Sequence, residues 1–305
     1  MKIKTAKKIA ATHKSDKVVV IASRRTDMPT FYGDELINGL KQGVFHPQGM
    51  MQGVWEFQFS PSDIHSVGLW SQDFGKWLQR WEEIKNLPYK FWYRFSILPD
   101  DPVCKPVAPP VKEQLRQLEA LVKIAGKEAV FLFIDPLITY RRLGEKIWHY
   151  NFSTESLDSI LCKASSFGIE NITTSIMDYY PKIQSRAEKK GIEFRFLDAD
   201  KSSNQQEIFR MIQVFKNVAD NYKMSIKTCC EKILHSSGLT LQGACVDGRS
   251  LNKIFGPGAS LKVDSAQRRK YGCGCTAAVD IGRYVEKGEF SHHCYHHCLQ
   301  CYARF

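Results

Sequence analysis

The amino-acid sequence predicts an α/β protein: a parallel (β/α) partial or complete TIM-like barrel of about six βα units, with an irregular Cys-rich C-terminal cap. Six short apolar runs alternate with amphipathic helical patterns, and such alternation is typical of parallel strands joined by right-handed crossovers. From about Leu239 the alternation stops, and glycine and cysteine become frequent. We therefore divide the chain into a basic arm over 1–17, the barrel over 18–238 and the cap over 239–305.

The predicted strands are runs of apolar, β-branched and aromatic residues, as expected for strands covered on both faces. Their ranges are 18–22, 66–70, 91–98, 129–134, 172–177 and 224–229. Polar residues follow them, including Ser23, Asp135, Asp178 and Cys230. Because the carboxyl ends of parallel strands share one rim, we expect these four residues to meet there.

Helical periodicity predicts the segments between the strands. The clearest example is 111–125, whose apolar face ends before Gly126, a residue type that often terminates helices. The predicted helices are 34–42, 74–85, 111–125, 155–167 and 206–221. Four tryptophans fit core or helix-packing positions, namely Trp70, Trp77, Trp81 and Trp92.

Composition narrows the class of protein. The chain has 305 residues, of which 43% are hydrophobic and 25% charged, and these are ordinary values for a soluble globular enzyme. No apolar run approaches the roughly 20 residues of a membrane span, and we find no secretory signal. Ten cysteines without an export signal favour a reducing compartment, so we expect a cytoplasmic protein with thiols that are free, metal-bound or catalytic.

The positive charge is concentrated at the N-terminus. Six lysines and one aspartate in residues 1–17 supply +5 of the formal net charge of +11. Such an arm can bind nucleic-acid phosphates without sequence preference. It can equally be a solvated tail, because no aromatic residues interleave the lysines for base stacking.

The last fifteen residues read SHHCYHHCLQCYARF, in which Cys294, Cys298 and Cys301 form a C-x3-C-x2-C pattern. Three thiolates on a cubane iron–sulfur cluster leave one iron without a protein ligand, as a catalytic cluster requires. A structural zinc ion takes four ligands, and a nearby histidine can supply the fourth. The spacing alone leaves both hypotheses open. The histidines are His292, His293, His296 and His297.

Four more cysteines, Cys230, Cys245, Cys273 and Cys275, fall in the second half of the chain. They can form a second metal site, either an auxiliary cluster or a zinc ion, since four thiolates close a site. The alternative is that they are small buried residues. Cys229 precedes Cys230 on a strand, so alternation predicts that one points inward and the other toward the rim.

Arg24, Arg25 and Asp27 follow the first strand. An arginine pair at the rim suits the carboxylate or phosphate of a ligand. Alternatively, the three residues form an ion-pair network in which Asp27 caps the next helix.

Several motifs occur in an order that resembles an uncharacterised bacterial family, domain-of-unknown-function family 1848, over most of the chain. The motifs are ASRRTDMPTFY (22–32), IDPLI (134–138), CCE (229–231), GACVDG (243–248) and DSAQRRKYGCGCTAAVDIGRY (264–284), followed by CYHHCLQCYA (294–303). The last motif is similar to the cysteine pattern of the radical S-adenosylmethionine (SAM) enzymes.

By this resemblance, Cys294, Cys298 and Cys301 would bind three irons of a [4Fe-4S] cluster, and the fourth iron would bind SAM. Cleavage of SAM would yield a 5′-deoxyadenosyl radical, with flavodoxin or ferredoxin as the electron donor. Its substrate would be a nucleic acid or a small metabolite. The SAM-binding residues would be Arg24, Arg25, Asp27, Gln300 and Tyr302.

Three features depart from the radical SAM pattern. The motif follows the last strand instead of the first, and Gln300 replaces the usual aromatic residue before the last cysteine, with Tyr302 one place beyond it. His297 stands where a glycine is usual. The other function class is a zinc- or iron–sulfur-containing nucleic-acid-binding protein without catalysis.

Overall fold

An eight-stranded sheet, parallel in every pair, forms the centre of the computed structural model. The structure describes residues 16–49, 53–198, 201–264, 272–283 and 294–303. The strands are β1 (Val18–Ala22), β2 (Ile64–Ser71), β3 (Phe91–Ser96), β4 (Val130–Phe133), β5 (Asn171–Thr174), β6 (Ser225–Thr228), β7 (Leu241–Gln242) and β8 (Val279–Asp280). Their spatial order is β8-β1-β2-β3-β4-β5-β6-β7, so the six predicted strands are confirmed as parallel neighbours in chain order.

Both outer strands come from the stretch that the sequence predicts as an irregular cap. β7 pairs with β6, and β8 pairs with β1. Each has only two residues, too few to show the alternation by which a strand is recognised. Hydrogen bonding between β7 and β8, which would close the sheet into a barrel, is not seen among the described residues.

The predicted helices are present, with boundaries that shift by a few residues. The range 74–85 divides into two short helices on either side of Arg80. The helix predicted from 206 begins earlier, at Ser202; its first turn is polar, so helical periodicity does not reveal it. The helices are α1 (Met28–Phe31), α2 (Gly33–Gln42), α3 (Gly75–Gln79), α4 (Trp81–Ile84), α5 (Val111–Ala125), α6 (Thr154–Ser166), α7 (Pro181–Glu188), α8 (Ser202–Asn221), α9 (Lys232–Ser236) and α10 (Gly248–Phe255).

Shorter elements lie outside the main sheet. The residues after β4 and β5 form a three-stranded antiparallel sheet with α7 beside it. Its strands are Thr139–Arg142, His149–Tyr150 and Ile192–Arg195. Two antiparallel pairs join Val44–Phe45 to Phe57–Gln58 and Gln48–Gly49 to Gly53–Val54, and single 3-10 turns span Pro61–Asp63 and Lys127–Ala129.

Strands β1 to β4 are buried on both faces. In β1, Val20 packs into the large core that the flanking helices share, whereas Val19 and Ile21 pack on the opposite face with Leu251 of α10. The C-terminal stretch therefore fills one face of the sheet as well as supplying its edges, and the carboxyl ends of the strands are left for a site. No helix in the described part of the chain is long and apolar enough to cross a membrane.

The basic arm lies almost wholly outside the described residues. Of the range 1–17, the structure describes Asp16 and Lys17. The Lys17 amide donates a hydrogen bond to the Gly258 carbonyl at 2.8 Å. This bond ties the start of the described chain to the segment that follows α10.

Candidate metal and cofactor site

A cavity of about 750 Å³ lies at the carboxyl ends of the strands. Ser23, Asp135, Asp178 and Cys230 all line it, which confirms that the strand ends meet at one rim. Every candidate site residue from the sequence borders the same cavity: Arg24, Arg25, Asp27, Cys230, Cys245, Cys273, Cys275, Cys294, Cys298, Gln300, Cys301 and Tyr302. The volume is within the range of pockets that enclose cofactor-sized molecules.

Residues 294–303, here called the terminal cysteine loop, are fixed to the rim by contacts from separate parts of the chain. The Tyr302 hydroxyl donates to the Arg24 carbonyl at 2.8 Å, and Gln300 Nε2 donates to the Cys104 carbonyl at 2.7 Å. The ring of Tyr302 also stacks on Tyr180, with 6.1 Å between the ring centroids. The loop is therefore held by the ends of several strands and by the insertion around α7.

Arg186 of α7 is the main brace of this loop. Its Nε and Nη2 donate to the Leu299 carbonyl at 3.0 and 2.8 Å, and Nη2 also donates to the Cys301 carbonyl at 2.6 Å. One guanidinium thus binds the backbone on both sides of Gln300. The sequence gives no sign of this role, because Arg186 is more than a hundred residues from the loop.

Asp27 joins the first strand end to the terminal cysteine loop. Its Oδ1 accepts a hydrogen bond from the Thr30 amide at 3.1 Å and so caps α1. Its Oδ2 accepts from the Ser71 hydroxyl, the Gln72 amide and His296 Nε2, at 2.8, 3.1 and 2.8 Å. Asp27 caps a helix, as one of the two sequence interpretations has it, but the capped helix is α1 and not the predicted helix 34–42. With four donors on this carboxylate, the visible role of Asp27 is to position His296.

The three thiols of the terminal cysteine loop face the cavity. Burial raises the pKa of Cys294 to about 12 and that of Cys298 to about 11, and the negative charge of Asp27 adds to both shifts. Gln72 Nε2 donates to Cys298 Sγ at 3.4 Å. Since thiols with raised pKa values keep their protons at neutral pH, ligation here requires a cation strong enough to displace those protons.

His296 and His297 differ in their surroundings and backbone conformation. His296 is buried and bound to Asp27, and His297 has a φ of 56°, in the left-handed region that glycine adopts most easily. His292 and His293 lie outside the described residues.

The same cavity is lined by Cys229, Cys230, Cys245, Cys273 and Cys275, which form what we call the five-thiol cluster. The ligand atoms of Cys229, Cys230 and Cys273 lie within 4.8 Å of one another, as do those of Cys229, Cys245 and Cys275. Cys229 belongs to both groups, with its Sγ 3.6 Å from that of Cys230 and 3.8 Å from that of Cys273. These are arrangements that can hold a metal ion or an iron–sulfur cluster.

Cys229 is the member of this cluster that the sequence misses. Strand alternation predicts that Cys229 and Cys230 point to different sides, but both border the cavity. The strand ends at Thr228, and Cys230 has a φ of 67°, so alternation no longer governs the pair. Hydrogen bonds with Cys229 and Cys245 lower the pKa of the Cys275 thiol to about 7.

The two predicted arginines differ in how they are used. Arg25 Nη1 donates to the Gly282 carbonyl at 2.7 Å, so Arg25 holds the segment after β8. Arg24 Nη1 lies 3.6 Å from Asp264 Oδ2, and its buried Nη2 has no hydrogen-bond partner among the described residues. Arg24 is therefore the better placed of the two to bind an anionic group.

Trp70 and Arg94 also line the cavity. The predicted core position of Trp70 is confirmed, since it packs in the cluster around Val19 and Ile21, and the residue also lines the cavity. The buried Arg94 guanidinium lies 4.1 Å from the centroid of the Trp70 ring and donates to Asp135 Oδ2 at 2.8 Å. Neither position in the cavity wall has a sequence signal of its own, since each depends on its neighbours in the sheet.

A parallel α/β sheet with cysteine clusters at its strand ends defines a class of protein able to bind a metal ion or an iron–sulfur cluster at the rim. Comparison with protein families agrees with the resemblance found in the motifs. The family described as "Domain of unknown function (DUF1848)" matches residues 19–303, and the chain belongs to it. No curated protein matches the chain.

Proposed function

We propose that the protein is a radical SAM-like enzyme in which Cys294, Cys298 and Cys301 hold a [4Fe-4S] cluster at the strand-end rim. One observation carries the proposal: the three thiols of the C-x3-C-x2-C motif border the same cavity as Arg24 and Gln300. Three thiolates leave one iron of such a cluster free to bind a small molecule in that cavity.

The polar atoms of the cavity fit SAM. Arg24 Nη2 and Gln300 Oε1 are buried without a hydrogen-bond partner in the described part of the chain. An unsatisfied buried polar atom costs about 1–3 kcal/mol, so a ligand that satisfies it is favoured. A carboxylate matches the guanidinium and an adenine amino group matches the amide oxygen, and SAM carries both. We assign Arg24 to the first and Gln300 to the second.

The bound cluster would supply the electron that cleaves SAM into methionine and a 5′-deoxyadenosyl radical. The protein's own residues do the rest. Arg186 and the Asp27–His296 pair hold the terminal cysteine loop against the rim. Trp70 and the arginine side chains around it narrow the cavity and limit the entry of water and oxygen.

The proposed setting of this chemistry is a barrel scaffold in a reducing compartment, with a separate electron donor. The strands follow chain order as in a partial or complete barrel, which is the scaffold that we propose. None of the ten cysteines forms a disulfide, which supports a reducing, cytoplasmic environment. A small electron-transfer protein such as flavodoxin or ferredoxin would deliver the electron.

A zinc-containing, nucleic-acid-binding protein is the second candidate, and one observation favours it. His296 donates to Asp27 through Nε2, and zinc-ligating histidines commonly donate their second ring nitrogen to a carboxylate in this way. Nucleic-acid binding through the basic arm would weaken steeply as salt increases.

Anaerobic reconstitution distinguishes the two candidates. The full chain is incubated with iron and sulfide, desalted, and analysed for iron, zinc and visible absorption. It is then mixed with dithionite and SAM. We expect a brown protein that retains iron and releases 5′-deoxyadenosine. Retention of zinc in place of iron, without 5′-deoxyadenosine, would contradict the enzyme proposal and support the second candidate.

A further inference from the structure

We propose that the five-thiol cluster is a binuclear zinc site, separate from the terminal cysteine loop, in which the thiolate of Cys229 bridges two zinc ions. One ion is held with Cys230 and Cys273, and the other with Cys245 and Cys275. The site is independent of the proposed radical chemistry. It is tested by metal content and by the magnetic coupling of bound cobalt, not by SAM cleavage.

The spacing of the sulfurs matches ligands of a single ion. Zinc–sulfur bonds of about 2.3 Å in a tetrahedron place two ligand sulfurs about 3.8 Å apart. Cys229 Sγ lies 3.6 Å from Cys230 Sγ and 3.8 Å from Cys273 Sγ. Thiolates on a cubane cluster bind different irons and stand further apart, so these distances favour zinc over an auxiliary cluster.

The need for two ions follows from how the thiols are grouped. Within the described residues, each group of mutually close ligand atoms contains three thiols, and the two groups share only Cys229. A single tetrahedral ion would need four thiols that are all close to one another. Two ions joined through Cys229 instead use all five thiols and leave each ion with one further position, as zinc has in catalytic sites.

The surroundings fit the charge of this site. Five thiolates and two divalent ions carry a net charge of about −1. The buried guanidinium of Arg94 interacts electrostatically with Cys245 and Cys275, and its Nε has no hydrogen-bond partner in the part of the chain that the structure describes. A fixed cation next to a slightly anionic metal site lowers the cost of burying both.

Metal counting tests the proposal in the full chain with Cys294, Cys298 and Cys301 all replaced by alanine, so that the terminal loop supplies no thiolate. The protein is stripped with a chelator under reducing conditions, loaded with zinc alone and desalted, and zinc is measured by mass spectrometry. We expect two zinc ions per chain. One ion per chain, none, or a preference for iron and sulfide with cluster absorption would overturn the proposal.

Single substitutions in the same background identify the bridge. Cys273→Ala and Cys275→Ala should each leave one zinc ion, whereas Cys229→Ala should lose both. Cys162→Ala, an exposed cysteine on α6, is the control and should keep two. If circular dichroism shows that Cys229→Ala does not fold, the Cys273→Ala and Cys275→Ala variants still test the proposal. Loss of both ions in either of them would show a single shared site.

Cobalt(II) provides an independent readout of the bridge. Two cobalt ions that share a thiolate couple magnetically, so we expect the electron paramagnetic resonance signal to fall as the second ion binds. A signal that doubles between one and two ions would show two unconnected sites and contradict the bridge. SAM cleavage by the wild-type protein is assayed separately, so failure of either proposal is recognisable by itself.

Discussion

The terminal cysteine loop and the five-thiol cluster face the same cavity but are built in opposite ways. The loop is one continuous segment whose thiols are held in place by other residues, chiefly Arg186 and the Asp27–His296 pair. The five-thiol cluster comes from three separate stretches of chain, and its thiols contact one another directly. A continuous motif needs support from its surroundings, whereas a discontinuous cluster is itself a link between parts of the fold.

The largest effect that distinguishes the two regions should come from removing one thiol of the terminal loop. Cys298→Ala takes away one iron ligand, so we expect iron retention at this loop and 5′-deoxyadenosine formation to fall to background. Zinc bound at the five-thiol cluster and the circular dichroism spectrum should be unchanged. Cys104→Ala is the matched control, a buried cysteine outside both sets of thiols. It should retain iron at the terminal loop and form 5′-deoxyadenosine as the wild type does. Parallel loss of zinc in Cys298→Ala would show that the two sites are one.

The brace of the loop should have the next largest effect. Arg186→Ala removes the charged donors to the Leu299 and Cys301 carbonyls, each such bond contributing about 1.5–3 kcal/mol. We expect the protein to fold but to lose iron during gel filtration faster than the wild type. Arg210→Ala, which removes an exposed ion pair with Glu207 on α8, should change stability by less than about 1 kcal/mol and leave iron retention alone. Equal iron loss in both variants would contradict the brace.

Neighbouring histidines of the loop should respond in opposite directions. His297→Gly relieves a left-handed backbone, so we expect a gain of about 1 kcal/mol in the free energy of unfolding, with the cluster retained. His296→Gly breaks the hydrogen bond to Asp27 and should weaken iron retention. Denaturant unfolding and iron analysis measure both. If His297→Gly also loses the metal, His297 is a ligand and the loop is a zinc site.

The smallest effect concerns the scaffold at the other end of β2 from the rim. His65 is buried, with Nε2 donating to the Gly256 carbonyl at 2.9 Å, and burial lowers its pKa below the usual value of 6.5. The folded state therefore binds fewer protons than the unfolded state below pH 6.5, and stability is lost as the pH falls through that value toward the lowered pKa. His65→Gln should flatten this acid slope in denaturant titrations. An identical slope in both proteins would show that His65 does not contribute.

The sequence predicts the parts of the fold and of the site that are local. Strands β1 to β6 could be predicted because each has at least four residues, enough to show an apolar run. Strands β7 and β8 could not be predicted, because two residues are too few to show a periodicity and each strand depends on pairing with another part of the chain. The C-x3-C-x2-C motif was visible for the same reason as the longer strands: its spacing lies within eight residues.

The residues that the sequence misses take their roles from contacts across the fold. Arg186 reaches the terminal loop from α7, and Cys229 joins two groups of thiols that only the strand order brings together. Asp27 shows both limits. A helix cap by Asp27 is one of the two interpretations that the sequence offers, because a cap involves neighbouring residues, whereas its bond to His296, which is 269 residues away, has no local signal.

Electron paramagnetic resonance of the reconstituted, dithionite-reduced protein, with and without SAM, tests most directly whether the terminal cysteine loop holds a [4Fe-4S] cluster. If the terminal cysteine loop holds a [4Fe-4S] cluster with an open iron, the cluster signal should change when SAM is added. The change should be absent in the variant that lacks Cys294, Cys298 and Cys301. A cluster signal that does not change when SAM is added, or one that persists in that variant, would contradict the proposed [4Fe-4S] site.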